Sequence, residues 1–525
     1  MLKTFQLPRR QVLSGTMGLG AAALAAPRIA KAQDKKVVRI RYKADIKVVE
    51  PAGNFVVDEQ FIVYGTQSNL ITWAPGDKWV WQLDAASSIE QVDETHVAFT
   101  LRPGIMFSNG YGEMTAEDVK YSFERMMNPD LNATDRQEFE QFDHVEVTDS
   151  HSGVIVTKGP VATMWTGILP RYFCAIVSKK AWEEIDATTR TLSPNEVPCF
   201  GGPYVLQEWV PGQKIVLARN DVWNGEPVYY DEVEYILIPD DKAAELAYEA
   251  GEVDITQISI GSAKTFRDNP LPDTDLYIRP TTGFVWLGIN VQHTPYEDVR
   301  VREALRKAID VDQIIEAAYF GVPSPSTGII SPGLMGWRDA AIEPRDVEGA
   351  KALLAEAGLA DGFTTHLAVL NQTEDLAAAQ VIQANLADIG VDLQIDSFES
   401  GAYWSLGLES DGEMWKDLEL VYQDWTSGAD PRRATMWFVS DQIGEWNWQR
   451  WSNAEYDALD AAAAVETDPA KRTEMYERMM EIQYEEAAFI NITHRPWVTL
   501  VRSNVDPEMM ANGYVYPRYV RAKEA

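Results

Sequence analysis

The sequence predicts an α/β fold built from interwoven units, on three observations. Helical segments end at glycine and pass directly into β-like runs: Leu376 to Ile389 is closed by Gly390 and followed at once by Val391 to Ile395, the order of an α/β chain. With 525 residues, 46% of them hydrophobic, the chain has the size of roughly two to four folding units. No Gly/Ser- or Pro-rich linker and no repeat of solenoid length divides it, so its units interweave rather than follow in series.

Each element has a local cause. Val37 to Ala44, Val97 to Leu101, Val145 to Val147, Val154 to Thr157 and Val216 to Ala218 are strand-like in β-branched and aromatic content. Thr115-Ala116-Glu117-Asp118 is a capping-box pattern that opens a helix through Met127, with Val119, Phe123 and Met126 on one stripe. Asp298 caps a helix over Arg300 to Ile309, and Gly358 stops another over Val347 to Ala357. Asp468 with Pro469 at the first helical position starts a helix expected to reach Glu486.

The N-terminus is expected to be a cleaved export signal over residues 1–32. Arg9-Arg10 precede a small, mildly apolar run from Ser14 to Ala26, and Ala30-Lys31-Ala32 offers an A-x-A cleavage site. The pattern resembles a twin-arginine signal, with Val12 and Ser14 departing from it, and the ordinary secretory route stays open. The apolar run, about 15 residues against the roughly 20 that span a bilayer, is too short for an anchor. The first cysteine is Cys174, so no lipid anchor is expected. The expected location is the periplasm.

Composition excludes whole classes. A formal charge of -34, from 46 Lys+Arg against 80 Asp+Glu, repels phosphate backbones and anionic lipids, and no basic cluster with interleaved aromatics offsets it, so nucleic acid is no partner. Residues 1–32 carry five bases and no acids, which leaves a mature charge of -39. The six histidines lack HExxH or CxxC company, so no metal site and no cofactor is expected. In an oxidising compartment Cys174 and Cys199 are possible disulfide partners; closing a loop of about 25 residues contributes roughly 3 kcal/mol. No GxSxG elbow or GxxxxGK[ST] loop appears, and with so many acids no carboxylate spacing is informative, so the chain is expected not to be an enzyme.

Aromatic residues are the sharper signal. Seven of the 17 tryptophans, Trp404, Trp415, Trp425, Trp437, Trp446, Trp448 and Trp451, fall in one short stretch. Trp446 and Trp448 share a face if the stretch is a strand, Trp448 and Trp451 if it is a helix. Such rings either pack a core or line a cleft that grips a small molecule by stacking or cation–π contact.

Six segments in order resemble the oligopeptide- and dipeptide-binding type of extracellular solute-binding protein of ABC importers, solute-binding family 5. Phe99 to Asn128 (FTLRPGIMFSNGYGEMTAEDVKYSFERMMN) is similar to the family's LRxGxxFHDG…TAEDVxxSxxR block, with Ser108 and Asn109 in place of His and Asp. Gly202-Pro203-Tyr204 with Val205 to Asn220 resembles GTGPYxLxxWxPG…LxRN, and Phe200-Gly201 replaces the Gly-Thr. GEVDI at 251–255, Val285 to Asp310, Gly349 to Leu359 and Val381 to Ile395 follow.

The resemblance implies a two-lobed periplasmic binding protein, the Venus-flytrap fold, with an extra subdomain on the first lobe. Lobe one would comprise residues 33–282 and 491–525, including the subdomain at about 76–195, and lobe two residues 283–490. Its function would be to capture a small solute, a peptide or peptide-like compound, and deliver it to an ABC permease in the inner membrane, as a monomer. A quaternary amine, opine or small oligosaccharide is the alternative ligand; a periplasmic hydrolase or chaperone is the alternative class. In peptide-binding members a W-x-x-D stretch supplies a Trp against the ligand and an Asp for its amine. Here Tyr422 to Pro431 (YQDWTSGADP) keeps Trp425, while the Asp position falls at Ser427 or Gly428, between Asp424 and Asp430. Together with the aromatic cluster, this stretch makes Trp425, Asp424, Ser427, Asp430, Trp446, Trp448, Tyr403, Trp404 and Asn290 the candidate ligand-binding residues. Asp430 also fits a helix cap, and Asn290 a turn. Arg300, Arg302, Arg306 and Lys307 are expected to form a solvated helix face.

Overall fold

The computed structural model describes residues 35–53, 57–131 and 133–523. The expected export segment and its cleavage site lie outside the described residues.

Among the described residues ten strands share one sheet, in the order Tyr204–Val210, Lys214–Arg219, Glu232–Leu237, Val37–Tyr42, Ile255–Gln257, Phe489–Arg502, Thr274–Ile289, Leu420–Thr426, Phe363–Leu370, Val391–Phe398. Phe489–Arg502 and Thr274–Ile289 are the long ones, with 14 and 16 residues, and run antiparallel through both halves of the sheet. On the first half, residues 274–280 pair with 496–502, and 255–257 pair with 499–501. On the second, residues 283–289 pair with 420–426. Between the two stretches the register of the central pair shifts, where Pro280 stands opposite Pro496. Neither proline has an N–H to donate, so the ladder cannot continue there.

Each half is completed by parallel strands: Val37–Tyr42 beside Glu232–Leu237, and Phe363–Leu370 beside Val391–Phe398. The helix Thr373–Ala387 connects the second pair as a βαβ crossover. Alternation along the 283–289 stretch sends Val285, Leu287 and Ile289 into a core with Leu305 and Ile382. Phe284 and Trp286 enter an opposite core with Phe438, Tyr476 and Phe489. Both faces are therefore covered. A Cβ on Gly288 would meet Gln449 Nε2 at 2.0 Å, so the buried Gln449 side chain would have to move to admit one.

A separate antiparallel sheet joins Ala86–Asp93, His96–Leu101, Ser152–Thr157 and Phe142–Val147. The helix Ala116–Met127 lies on it with Val119, Phe123 and Met126 buried, and Phe123 stacks on Phe142 at 5.6 Å. Its capping box forms as expected, Asp118 accepting from Thr115 N at 2.8 Å. The last long helix spans Pro469–Glu486, started by Asp468, which accepts from Ala470 N at 2.9 Å. No helix among the described residues is long and apolar enough to cross a membrane.

Two expectations are corrected. Cys174 and Cys199 are separate buried thiols rather than a disulfide. They occupy different neighbourhoods, Cys174 near Asp135, Glu138 and Arg171, Cys199 near Asp118 and Ser178. Burial raises both thiols, Cys199 to about 12. The arginines of Val299–Ala308 are not all solvated: Arg302 is 4% exposed and donates to the carbonyls of Tyr296 and Glu486 at 2.7 and 2.8 Å. The Pro469–Glu486 helix ends over this face and takes up the guanidinium.

Unfolding the protein in denaturant without reductant and alkylating it will add two thiol labels per chain, read by intact mass. A mass with no label added would restore the disulfide.

Candidate functional site

At the break in the central pair, side chains replace the ladder. Thr281 Oγ1 donates to Arg495 O at 2.8 Å, and Thr282 Oγ1 donates to Ser427 O at 2.7 Å. Ser427 N donates back to Thr282 O at 3.1 Å. His494 lies between the hydroxyls of Ser326 and Ser331, at 2.9 and 3.0 Å. Burial lowers its pKa to about 4, so the ring is neutral near pH 7. The chain thus brings residues 281–283, 427 and 494–497 to one place.

From the first half of the sheet an aromatic wall rises beside this point. Trp497 meets Tyr514 edge-on at 4.8 Å, Tyr514 meets Phe61 at 5.2 Å, and Tyr64 stacks on Tyr516 at 4.2 Å. Trp497 and Tyr514 are half-buried. A cavity of about 460 Å³ opens here, lined among others by Arg41, Lys43, Asp58, Phe61, Gln257 and Trp497. Burial raises the Asp58 carboxyl, while Ala44 N donates to it at 3.0 Å and favours the charged form.

From the second half comes a cluster centred on Trp425. Its ring lies 5.1 Å from Trp446, 5.5 Å from Trp437 and 6.0 Å from Trp404, mostly edge-to-face. All four rings are half-buried, which suits a surface that meets both protein and ligand. Arg433, whose carbonyl accepts from Trp437 Nε1 at 2.7 Å, reaches across to ion-pair with Glu138.

Arg171 stands between the walls. Its guanidinium lies 5.4 and 5.6 Å from the rings of Tyr172 and Phe173 and makes no ion pair among the described residues. The Nε is buried without a hydrogen-bond partner. A Cβ added to Gly428 would stand 3.7 Å from its Nη1, so the group faces the 427–428 turn.

Of the residues singled out from sequence, Trp425, Trp404, Trp446 and Ser427 lie at this place. Trp448 does not: residues 443–453 form turns rather than a strand or helix, and Trp448 is 2% exposed beneath Tyr403 and Trp404. Tyr403 is fully buried and donates to Tyr422 O. Asn290 is a turn former, donating to Leu418 O at 2.7 Å and accepting from Gln292 N at 3.1 Å. Asp430 is structural too. It is 1% exposed, holds Arg472 through both oxygens at 2.7 and 2.9 Å, accepts from Thr166, and caps the short helix through Arg432 N at 3.0 Å.

Asp424 is half-buried and paired with Arg495. Near that pair lies Asp375, 2% exposed with one oxygen unbonded, and its pKa is raised to about 7, chiefly by burial. Sequence reasoning missed Arg171, Tyr64, Tyr514, Tyr516, Trp497, Arg495 and Asp375. The Tyr514-Val515-Tyr516 alternation and the Arg495-Pro496-Trp497 run, just past the expected return to lobe one, were the available signals.

Residues 81–446 match the family described as bacterial extracellular solute-binding proteins, family 5 Middle. The chain belongs to that family. The dipeptide-binding protein of Escherichia coli (strain K12) is 27% identical over 435 residues, 78% of this chain and 79% of the relative. Glutathione-binding protein GsiB of Salmonella paratyphi A (strain ATCC 9150 / SARB42) is 25% identical over 412 residues, 77% of this chain and 76% of the relative. In solved structures the fold recurs in HbpA2 from Haemophilus parasuis, at a TM-score of 0.83 and 22% identity, covering 93% of this chain and all of that one. The fold is the two-lobed α/β architecture of periplasmic binding proteins, and the long central pair described above carries chain between its halves.

Two outcomes follow from the buried charges. Asp430→Ala strands the Arg472 guanidinium and lowers unfolding free energy by about 3–5 kcal/mol in urea titration; a loss below about 1 kcal/mol would refute the pairing. Asp375 is expected to stay protonated in the folded state up to about pH 7 but to ionise near pH 4 when unfolded. Its contribution is therefore full below pH 4 and lost as pH rises through 7. Asp375→Asn should flatten the fall of stability over that window, measured by denaturant titration at several pH values; an unchanged slope would contradict the assignment.

Proposed function

We propose that this family 5 protein is the ligand-capturing component of an ABC importer, working in the periplasm and taking a peptide or peptide-like compound between two lobes. Residues 33–282 with 491–525 form the first lobe and 283–490 the second. The observation that carries this reading is the pair of half-buried aromatic walls, one from each half, facing the strand break with an unpaired arginine between them. The relatives named for dipeptide and glutathione binding support the ligand class.

The physical division of labour follows from the side chains. Trp425, Trp437 and Tyr514 offer flat, low-entropy surface for the body of the ligand. Arg171 accepts a ligand carboxylate, since a planar fork without an ion pair binds that group bidentately. Asp424 is already neutralised by Arg495, which leaves Asp58 and its cavity to receive an amine. Closure is driven only by contacts that exist when both lobes touch the ligand, so residues of both walls belong to the site. The protein releases its ligand unchanged to a membrane permease and acts as a monomer.

Native mass spectrometry of the protein from its own host will release a compound carrying a carboxylate. By isothermal titration, Trp425→Ala weakens its binding at least about tenfold with the fold retained. Arg171→Gln weakens the free acid by a similar factor but leaves the amidated form of the same ligand unchanged. Equal losses for acid and amide would remove Arg171 from carboxylate recognition; a ligand without carboxylate would overturn the peptide reading.

A further inference from the structure

A second pocket, with a mixed polar and apolar lining, lies in the second half of the chain, away from the aromatic walls. It is a cavity of about 70 Å³ lined by Arg306, Lys307, Arg338, Tyr484, Asn491 and Glu343 among others. Three cations against one lining carboxylate is an inversion of the chain's own balance, 46 bases against 80 acids.

The cations are held so that part of their donor set remains free. Arg306 and Arg338 both lie against the ring of Tyr484, at 4.0 and 4.3 Å from its centroid, and Arg306 also hydrogen-bonds to Tyr484. Arg306 donates to Glu343 at 3.1 Å through Nη1, yet its Nε is buried with no partner. Arg338 makes no ion pair among the described residues, and its carbonyl accepts from Thr327. Lys307 is 3.6 Å from Asp346 at the rim and a third exposed. The Glu343 carboxyl is held below its ordinary range by a hydrogen bond from Tyr484, and all three cations act in the same direction. Glu343 answers Arg306 and Asp346 answers Lys307, which leaves the Arg338 guanidinium without an ion pair among the described residues and Arg306 Nε without a partner.

We propose that the pocket binds a small oxyanion, a single phosphate or carboxylate group, at a site separate from the ligand cleft. Arg338 and Lys307 supply charge, Arg306 Nε supplies a buried donor, and the tetrahedral or planar anion lies between them beside Asn491. Asn491 belongs to the Phe489–Arg502 strand that also carries Arg495 and Trp497, so the occupant braces that strand a few residues from the break. Burial of unsatisfied donors in a low-dielectric pocket is the driving force.

The test is a titration of the full chain with inorganic phosphate, and separately with acetate, against sodium chloride at matched ionic strength. It is read by thermal unfolding and by phosphorus NMR line width. The expected result is a saturable rise in Tm with one oxyanion or both, absent with chloride. Arg338→Gln and Lys307→Gln each weaken it at least about fivefold, as loss of a charge-assisted bond requires. Both positions are partly exposed, so the variants fold, and folding is checked by the unchanged unfolding transition in chloride. Saturation by phosphate alone identifies a tetrahedral site, and saturation by acetate a carboxylate-accepting one. Equal responses to chloride and both oxyanions, or variants that bind as the parent does, would overturn the proposal.

Discussion

Pro280 opposite Pro496 is the constraint on which the arrangement rests. Two strands of 14 and 16 residues would otherwise form an unbroken ladder across the molecule, and an unbroken ladder offers no free backbone at its centre. With no N–H on either proline the pairing ends, and Thr281 and Thr282 take over with hydroxyl bonds to Arg495 and Ser427. Because strand side chains alternate, His494 turns to Ser326 and Ser331 while Arg495 turns to Asp424. The polar residues of the candidate cleft are gathered where the sheet itself lets go of them.

The elements were legible where a local cause sufficed. Asp468-Pro469 and Thr115 with Asp118 start their helices as their side chains dictate, and Gly390 separates helix from strand. The site was legible only in part, because its residues come from positions far apart in sequence. Nothing in one sequence pairs Arg171 with Gly428, or places Tyr514 opposite the Trp425 cluster. The tryptophan periodicities failed for a different reason: both assumed a regular element, whereas residues 443–453 turn repeatedly. Asp430 could be read as cap or ligand group from its neighbours, and the buried Arg472, supplied by a helix 42 residues on, decides for structure.

The two classes of tryptophan have distinct physical roles. Trp448 is enclosed, with a Cβ on Gly407 excluded at 2.2 Å from its ring, and Trp404 rests on it at 6.0 Å while also meeting Trp425 at 6.0 Å. The buried ring therefore fixes the half-buried one, which fixes the exposed edge of the cluster. Rotamers locked by packing give a binding surface its precision, and less ordering entropy is lost when ligand arrives.

Charge adds the last constraint. In a chain with 80 acids and 46 bases, an arginine is rarely far from a carboxylate, and buried ones here are paired: Arg472 with Asp430, Arg518 with Asp84, Arg125 with Glu50. Such pairs form because a stranded guanidinium in low dielectric costs several kcal/mol. Against that background the guanidiniums of Arg171 and Arg338 are exceptions, each resting on aromatic rings with no ion pair among the described residues. Asp135 and Glu138 act on Arg171, and Glu343 on Arg338, through space and without closing an ion pair among the described residues, while charges on a distant surface are screened by solvent. The proposed ligand carboxylate and the proposed oxyanion would meet their charge. One of the two guanidiniums waits between the aromatic walls of the cleft, the other behind the strand that carries its floor.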